Sequence, residues 1–189
     1  MSPLAGAPKL IHAGFVLLDP ATAVVTKILE LPLNPETLSR SLEAIAVSAG
    51  PVEPREVISF TAVLDASDAL AQRDPQATQN GILALLSALE LLMYSQGPAN
   101  QQPIVLFVWG SRRILPVRVT SMQIVEQVFD SKLNPIQATV SMSLFSLKDA
   151  DLPANSRARA LWDTHLQVIE QLAAQVPPGS AADLGIGAV

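Results

Sequence analysis

The sequence predicts a mainly β fold with some helix, an α+β arrangement with one packed central helix and a C-terminal helix. Three observations predict it. Several segments alternate apolar and polar residues with a period of two, one apolar run is rich in β-branched and aromatic residues, and two segments have helical spacing. The 189 residues are enough to bury a sizeable core in one such domain with an appendage.

The first half of the chain contains three strand signals and one ambiguous segment. An almost unbroken apolar run over Leu10–Leu18 predicts a strand buried on both faces. Alternation predicts a second strand over Val24–Leu33 and a third over Ile58–Leu64, whose two faces differ in polarity. Between them, helix propensity rises over Glu36–Val47 before a loop that contains several prolines.

The middle of the chain predicts a helix followed by a buried strand. Apolar residues recur at three- and four-residue spacing over Ala77–Tyr94, which predicts a helix that is largely covered. Gly97 and Pro98 end it. The continuous apolar run Pro103–Trp109 is too short for a typical helix and is β-branched and aromatic, so we expect it to be the central strand.

Two long segments, Val117–Phe129 and Ile136–Leu147, should pair as a hairpin. Within the first, the apolar parity shifts between Val119 and Met122, which indicates a bulge or bend of the kind that closed or strongly curved sheets require.

The second strand of this hairpin has one apolar face and one polar face without any charge. Its polar positions are uncharged, which is unusual for a free solvent face and suits a channel wall or a subunit contact; chance over four positions is the alternative. These positions are Gln137, Thr139, Ser141 and Ser143.

A last helix is predicted over Arg157–Gln175, with an apolar stripe that includes Trp162 and Leu166. The residues from Pro178 onward are small and lack periodicity, which is typical of a loose tail. We therefore expect a β-rich domain over residues 1–153 and a helix with a flexible tail over 154–189.

Composition and charge exclude several functions. Hydrophobic residues make up 49% of the chain but aromatic residues only 4%, so aliphatic side chains must fill the core. The net charge of -5 disfavours nucleic acids and anionic membranes, which Lys and Arg bind. Since no cysteine is present, disulfides, thiolate metal sites and a cysteine nucleophile are excluded.

The chain has no predicted membrane or export signal. Its N-terminal residues lack a charged region followed by an apolar one, and no apolar stretch reaches the roughly 18 residues that span a bilayer. We expect a protein that is cytoplasmic when made and not inserted into a membrane. Incorporation into a larger particle would need no signal peptide.

Residues of the types that carry out chemistry are scattered along the chain. The two histidines, His12 and His165, have no ligand at metal-site spacing, and Asp65 with Asp68 falls short of a calcium loop and fits a turn and helix cap. Ser111 follows a strand but lacks the Gly-x-Ser-x-Gly motif. We therefore predict no enzyme activity, no metal and no cofactor.

The adjacent cations Arg112 and Arg113 follow the apolar run ending at Trp109. Two guanidinium groups at a strand end can clamp carboxylates on a partner chain. An exposed turn with two solvated charges is the equally weighted alternative.

Taken in order, these segments resemble the conserved domain of contractile injection system tube proteins, the group that includes tube-initiator baseplate adaptors. The resemblance runs roughly from Ile11 to Pro153, and its motifs are specific only in combination. The matching segments are Leu33–Ser41, Ile58–Ser67, Pro103–Gly110, Leu115–Val117 and Phe129–Ala138.

The resemblance implies a tube-fold β-barrel or sandwich whose copies form a six-fold ring around a channel. It also implies partners within one phage-tail-like particle: tube, hub or spike, and baseplate proteins. Larger members carry a LysM domain, which has no counterpart in residues 157–189. The function it favours is a tube-initiator ring that templates the tube, with Arg112, Arg113 and the polar positions of the hairpin as interface or channel candidates.

Two alternatives stay open at this point. One is an ordinary inner-tube subunit that polymerises into many rings. The other, from a different class, is a β-barrel that binds a small apolar ligand, which the covered helix and apolar strands suggest.

Overall fold

A computed structural model describes residues 10–44, 54–94, 103–148, 151–152 and 156–180. These residues form seven strands and four helices, so the prediction of a mainly β fold with a few helices is confirmed. The strands are β1 (Gly14–Leu18), β2 (Val25–Glu30), β3 (Leu38–Glu43), β4 (Arg55–Asp65), β5 (Ile104–Val108), β6 (Ile114–Phe129) and β7 (Pro135–Ser146). The helices are α1 (Ser67–Ala71), α2 (Pro75–Asn80), α3 (Leu83–Glu90) and α4 (Arg157–Ala173).

All seven strands belong to one antiparallel sheet with the order β2-β1-β5-β6-β7-β4-β3. The sheet is open, because β2 and β3 each have a partner on one side only among the described strands. Hydrogen bonding therefore does not close the predicted barrel. The strand at the centre of the order is β6, and the apolar run expected there forms its neighbour, β5.

The long strand β6 divides the sheet into two halves. Its first residues pair with β5, through Val117, and its later residues pair only with β7. The register of the β6–β7 pair shifts between Val119 and Ser121, so the predicted bulge is confirmed. Before the bulge the odd residues of β6 are buried, whereas after it the even residues Met122 and Ile124 are the more buried ones. The extra residue, Thr120, thus keeps apolar side chains on the inner face as the strand bends.

The two halves of the sheet fold over each other. In a flat sheet, three strand spacings would place β4 and β5 about 14 Å apart. Instead, the rings of Phe60 on β4 and Phe107 on β5 stack with their centroids 5.4 Å apart, and the ring of Phe15 on β1 lies 5.7 Å from Phe107. The sheet is therefore strongly curved, and phenylalanine side chains fill the inner space where the alternative hypothesis placed an apolar ligand.

The predicted helix Ala77–Tyr94 is divided in two at Gly81. Gly81 has a φ of 56° and lies against the carbonyl of Pro135, which also accepts a hydrogen bond from the amide of Ile82 at 2.9 Å. The hairpin tip adds a second contact, because Asn134 Nδ2 donates to the carbonyl of Gln79 at 3.2 Å. The break at Gly81 therefore lets the helical segment pack against the start of β7 and bond to it.

The segment with high helix propensity, Glu36–Val47, forms the edge strand β3 where it is described, so the expectation of helix was wrong there. Its backbone pairs with β4 from Leu38 to Glu43. Pairing with a long neighbouring strand overrides a weak local preference. Beyond β7, α4 follows the N-cap residue Ser156, whose side chain accepts a hydrogen bond from the amide of Arg159, and the helix packs against β6.

Candidate functional site

The outward side of β4, β6 and β7 is an almost uncharged surface, which we call the polar face. Its residues form rows across the three strands, because the register pairs them directly. Two rows contain only hydroxyl and amide side chains. The polar face comprises Ser59, Thr61, Val63, Ser121, Gln123, Val125, Gln127, Gln137, Thr139, Ser141 and Ser143.

Hydroxyl groups on the polar face bond to one another across the strands. The Oγ atoms of Ser59 and Ser143 are 3.1 Å apart, and Thr61 Oγ1 lies 3.0 Å from Ser141 Oγ. The row of Ser59 and Ser143 continues to Ser121 on β6 and to Ser39 on β3. A shallow depression of about 510 Å³ lies over these rows. The surface thus offers hydrogen-bonding groups but no charge to a molecule that passes over it.

One carboxylate, Asp65, lies at an end of the polar face. Its Oδ2 accepts a hydrogen bond from Gln137 Nε2 at 2.8 Å, and its Oδ1 accepts from the amide of Ser67 at 2.7 Å. The hydrogen bonds from Ser67, and a weaker contribution from Gln137, lower the pKa of Asp65. Asp65 therefore holds the turn after β4 through the amide of Ser67, as the sequence indicated, and fixes the orientation of Gln137. The expected helix cap is not formed, because the N-cap residue of α1 is Ala66 and no side chain caps the helix.

The structure places all four predicted polar positions of β7 on this surface. Gln137, Thr139, Ser141 and Ser143 are half-buried because β7 is flanked by strands on both sides, whereas the residues between them are buried. Sequence reasoning missed the neighbours on β4 and β6 that complete the rows. The polar residues at alternate positions of β4 were the available signal, since one face of that strand is visibly more polar.

The two arginines lie in the turn between β5 and β6 and differ in their surroundings. Arg112 is exposed, whereas Arg113 is half-buried. Burial and the positive charge of Arg40 lower the pKa of Arg113, and the carboxylate of Glu56 opposes this effect. Glu56, whose charge acts on Arg113, lies at the start of β4, whereas Gln137 pairs with Asp65 at the other end of that strand. The arginines and the polar positions therefore do not form one site.

A buried ion pair near Arg113 was not predicted. Arg40 Nε donates to Glu56 Oε1 at 2.6 Å, and the side chain of Glu56 is only 3% exposed. Glu56 has the same parity as the buried residues Ile58 and Phe60 of β4. A charged residue in phase with the apolar face of a strand was the signal, but it was missed because the strand was expected to begin only at Ile58.

The remaining candidates provide no centre for chemistry. His12 Nδ1 lies 3.1 Å from the carbonyl oxygen of Leu31, and His165 is one of the buried residues of α4. Among the described residues, no three His, Asp or Glu side chains are arranged to hold a metal ion. No helix in that part of the chain is long and apolar enough to cross a membrane.

The family model of contractile injection system tube proteins matches residues 19–155, which is well over half of the chain. The chain belongs to this family. No curated protein matches it. The matched residues extend from the end of β1 through β7, and they include the polar face and both arginines. The helix α4 lies outside them.

Membership in this tube family gives the chain a structural role in a phage-tail-like particle, in assembly with itself and with other tail components. This agrees with the prediction that the protein is structural rather than enzymatic.

Proposed function

We propose that six copies of this chain form a closed ring at the baseplate end of a contractile injection system, where the ring starts the tube and continues its channel. In this ring the polar face lines the channel. The observation that carries the proposal is a curved, almost uncharged sheet surface with an unpaired strand on each side.

The unpaired edges suit ring closure. Beyond Arg118, β6 pairs only with β7 among the described strands, and β3 pairs only with β4. The polar half of the sheet, β6-β7-β4-β3, thus has two free edges on opposite sides. Open edges are liabilities in a monomer, and pairing β3 of one copy with β6 of the next would satisfy both.

The dimensions of such a ring follow from strand spacing. Six copies of a four-stranded sheet supply roughly 24 strands, which at about 4.8 Å each give a circumference of about 115 Å. The diameter between opposite backbones is then about 37 Å before strand tilt is included, and tilt widens it. Such a channel leaves open space after side chains line its wall.

The character of the wall supports this placement. A free surface would normally carry Lys and Glu for solubility, but the rows from Ser59 to Gln127 contain none. The wall carries almost no charge, and part of its hydrogen-bonding capacity is used between strands, so it would hold a passing molecule weakly. We infer that the wall permits passage of polypeptide without binding it.

The assignment to the baseplate end rests on α4. This helix lies outside the matched residues, and its second half has exposed apolar side chains: Leu166 is 39% exposed, Ile169 43% and Leu172 39%. Such a stripe is suited to a hub or baseplate protein. The alternative is an ordinary tube subunit, for which the family match alone is sufficient. Negative-stain images of the purified protein distinguish them, because long tubes support the alternative and single rings support the initiator.

The channel wall is tested by Thr139→Lys, with Thr78→Lys on the exposed surface of α2 as the matched control. Adjacent copies would place their new charges about 18 Å apart or less, from the ring radius estimated above. The Debye length is about 30 Å at 0.01 M salt and about 3 Å at 1 M, so repulsion should impair assembly at low salt and disappear at high salt. Particle assembly would be scored for both variants. Normal assembly of the Thr139 variant at low salt would refute the channel-wall assignment.

A further inference from the structure

The first half of α4 is held to the sheet by its buried face. Three of its residues are buried there: Ala158 is fully covered, and Trp162 and His165 are each 6% exposed. The rings of Trp162 and His165 lie 5.9 Å apart. The helix therefore docks through a small set of side chains, two of which carry polar atoms.

Those polar atoms have no partners among the described residues. Both ring nitrogens of His165 are buried without a hydrogen bond, as are Trp162 Nε1 and the Oγ of Ser146 on β7. A buried polar group without a partner costs about 1–3 kcal/mol. The unpartnered nitrogens of Trp162 and His165 make the docking of α4 weaker than its apolar contacts suggest.

The charges that act on the His165 ring come from three other elements. Glu56 of β4 attracts a proton to it, whereas Arg40 of β3 and Arg113 of the turn before β6 repel one. The attraction is reduced because Glu56 already pairs with Arg40. The charges of two guanidinium groups and one carboxylate therefore act on the ring.

The elements in direct contact add no compensating negative charge. The charged residues of β6 are Arg118 and Glu126, and both are exposed. On α4 itself Asp163 and Glu170 are exposed. Neither of these carboxylates, nor Glu126, is among the causes that act on the ring. A proton added to His165 would thus create a buried cation with no carboxylate of its own.

Burial, and then the two arginines, lower the pKa of His165, while Glu56 acts in the opposite direction. When α4 is released, the ring should titrate near its ordinary value of about 6.5. The docked state is therefore fully favoured above about pH 6.5, and it loses stability progressively as the pH falls below that value, until the docked ring also becomes protonated.

We propose that α4 is an acid-released latch, in which protonation of His165 expels the helix from the sheet and exposes the face beneath it. The latch adds a regulated surface to the tube subunit and does not depend on the ring or on the channel wall. Release would uncover the side chains of Ala158 and Trp162 and the part of β6 against which α4 packs.

The test uses Trp162 as the probe, in the full chain with Trp109→Phe so that Trp162 is the only tryptophan. Its fluorescence emission maximum would be followed from pH 8 to pH 5, with circular dichroism to show that the sheet stays folded. We expect a reversible red shift below about pH 6.5. Absence of any shift while the protein stays folded would overturn the proposal.

Substitutions identify the group that titrates. His165→Leu should abolish the shift, and His165→Gln serves if the leucine variant does not fold. The matched control is His12→Gln, which removes the other histidine and should leave the shift unchanged. Arg113→Gln should move the midpoint of release to lower pH, because it removes a repulsive charge from the docked state, where the ring can then be protonated with less cost. A shift that persists in a folded His165 variant, or that disappears in the His12 variant, would also contradict the latch.

Discussion

Val140 and Thr139 are adjacent on β7 and point to opposite sides of the sheet. Placing an aspartate at each position in turn therefore tests the assignment of faces. Val140 is fully buried and pairs with Ala62 and Ile124. Val140→Asp removes about 1.5–3 kcal/mol of apolar burial and adds a buried carboxylate that costs several kcal/mol more. The sum is comparable with the whole stability of a domain, about 5–15 kcal/mol. We expect the variant to be unfolded or to melt tens of degrees lower.

Thr139→Asp is the matched control, since it introduces the same side chain on the polar face beside Val63 and Val125. Its expected cost is about 1 kcal/mol, the range of strand propensities. Urea and thermal unfolding followed by circular dichroism would measure both. A buried carboxyl has a raised pKa, so the deficit of Val140→Asp should shrink as the pH falls towards 4. Equal stabilities for the two variants would refute the assignment of faces.

Two further substitutions test the ion pair and the helix break. Arg40→Ala should lower the free energy of unfolding by about 3–5 kcal/mol, because it leaves the buried carboxylate of Glu56 unpaired. The double variant Arg40→Leu with Glu56→Leu should recover most of that loss, and urea unfolding would measure both. A single variant as stable as the wild type would contradict the pairing. Gly81→Ala should cost more than Gly110→Ala in thermal melts. Both glycines have positive φ, but a Cβ on Gly81 overlaps the carbonyl oxygen of Pro135 while Gly110 faces open space. Equal losses would show that backbone strain alone determines the effect.

Much of the fold could be predicted from the sequence where apolar periodicity is strong. The alternation in β7, the hairpin and the parity shift in β6 all follow from the packing of side chains on one face, and each was predicted. The edge strand β3 was not predicted, because its six residues are mostly exposed and its conformation depends on pairing with β4. The division of the helix at Gly81 was missed for a similar reason, since it depends on Pro135, which is 54 residues away.

The candidate surfaces, too, could be predicted from the sequence only in part. The polar positions of β7 are visible in the sequence because they alternate within one strand, but the rows they form with β4 and β6 depend on register. The pair of Arg40 with Glu56 joins residues on two strands, and only the parity of Glu56 hints at it. Local patterns therefore predict which face a residue occupies, whereas its partners depend on strand order.

The bulge at Thr120 connects the stability of the subunit to its proposed assembly. Before it, β6 pairs with β5 up to Val117 and belongs to the core that contains Phe107. After it, the strand is paired on one side only and presents Gln123 and Gln127 outward. Without the extra residue Thr120, Met122 and Ile124 would point to the outer face. A shift of one residue along a strand moves every later side chain to the opposite side of the sheet. The same inserted residue thus keeps Met122 and Ile124 packed against the core and leaves a free strand edge available to a neighbouring copy.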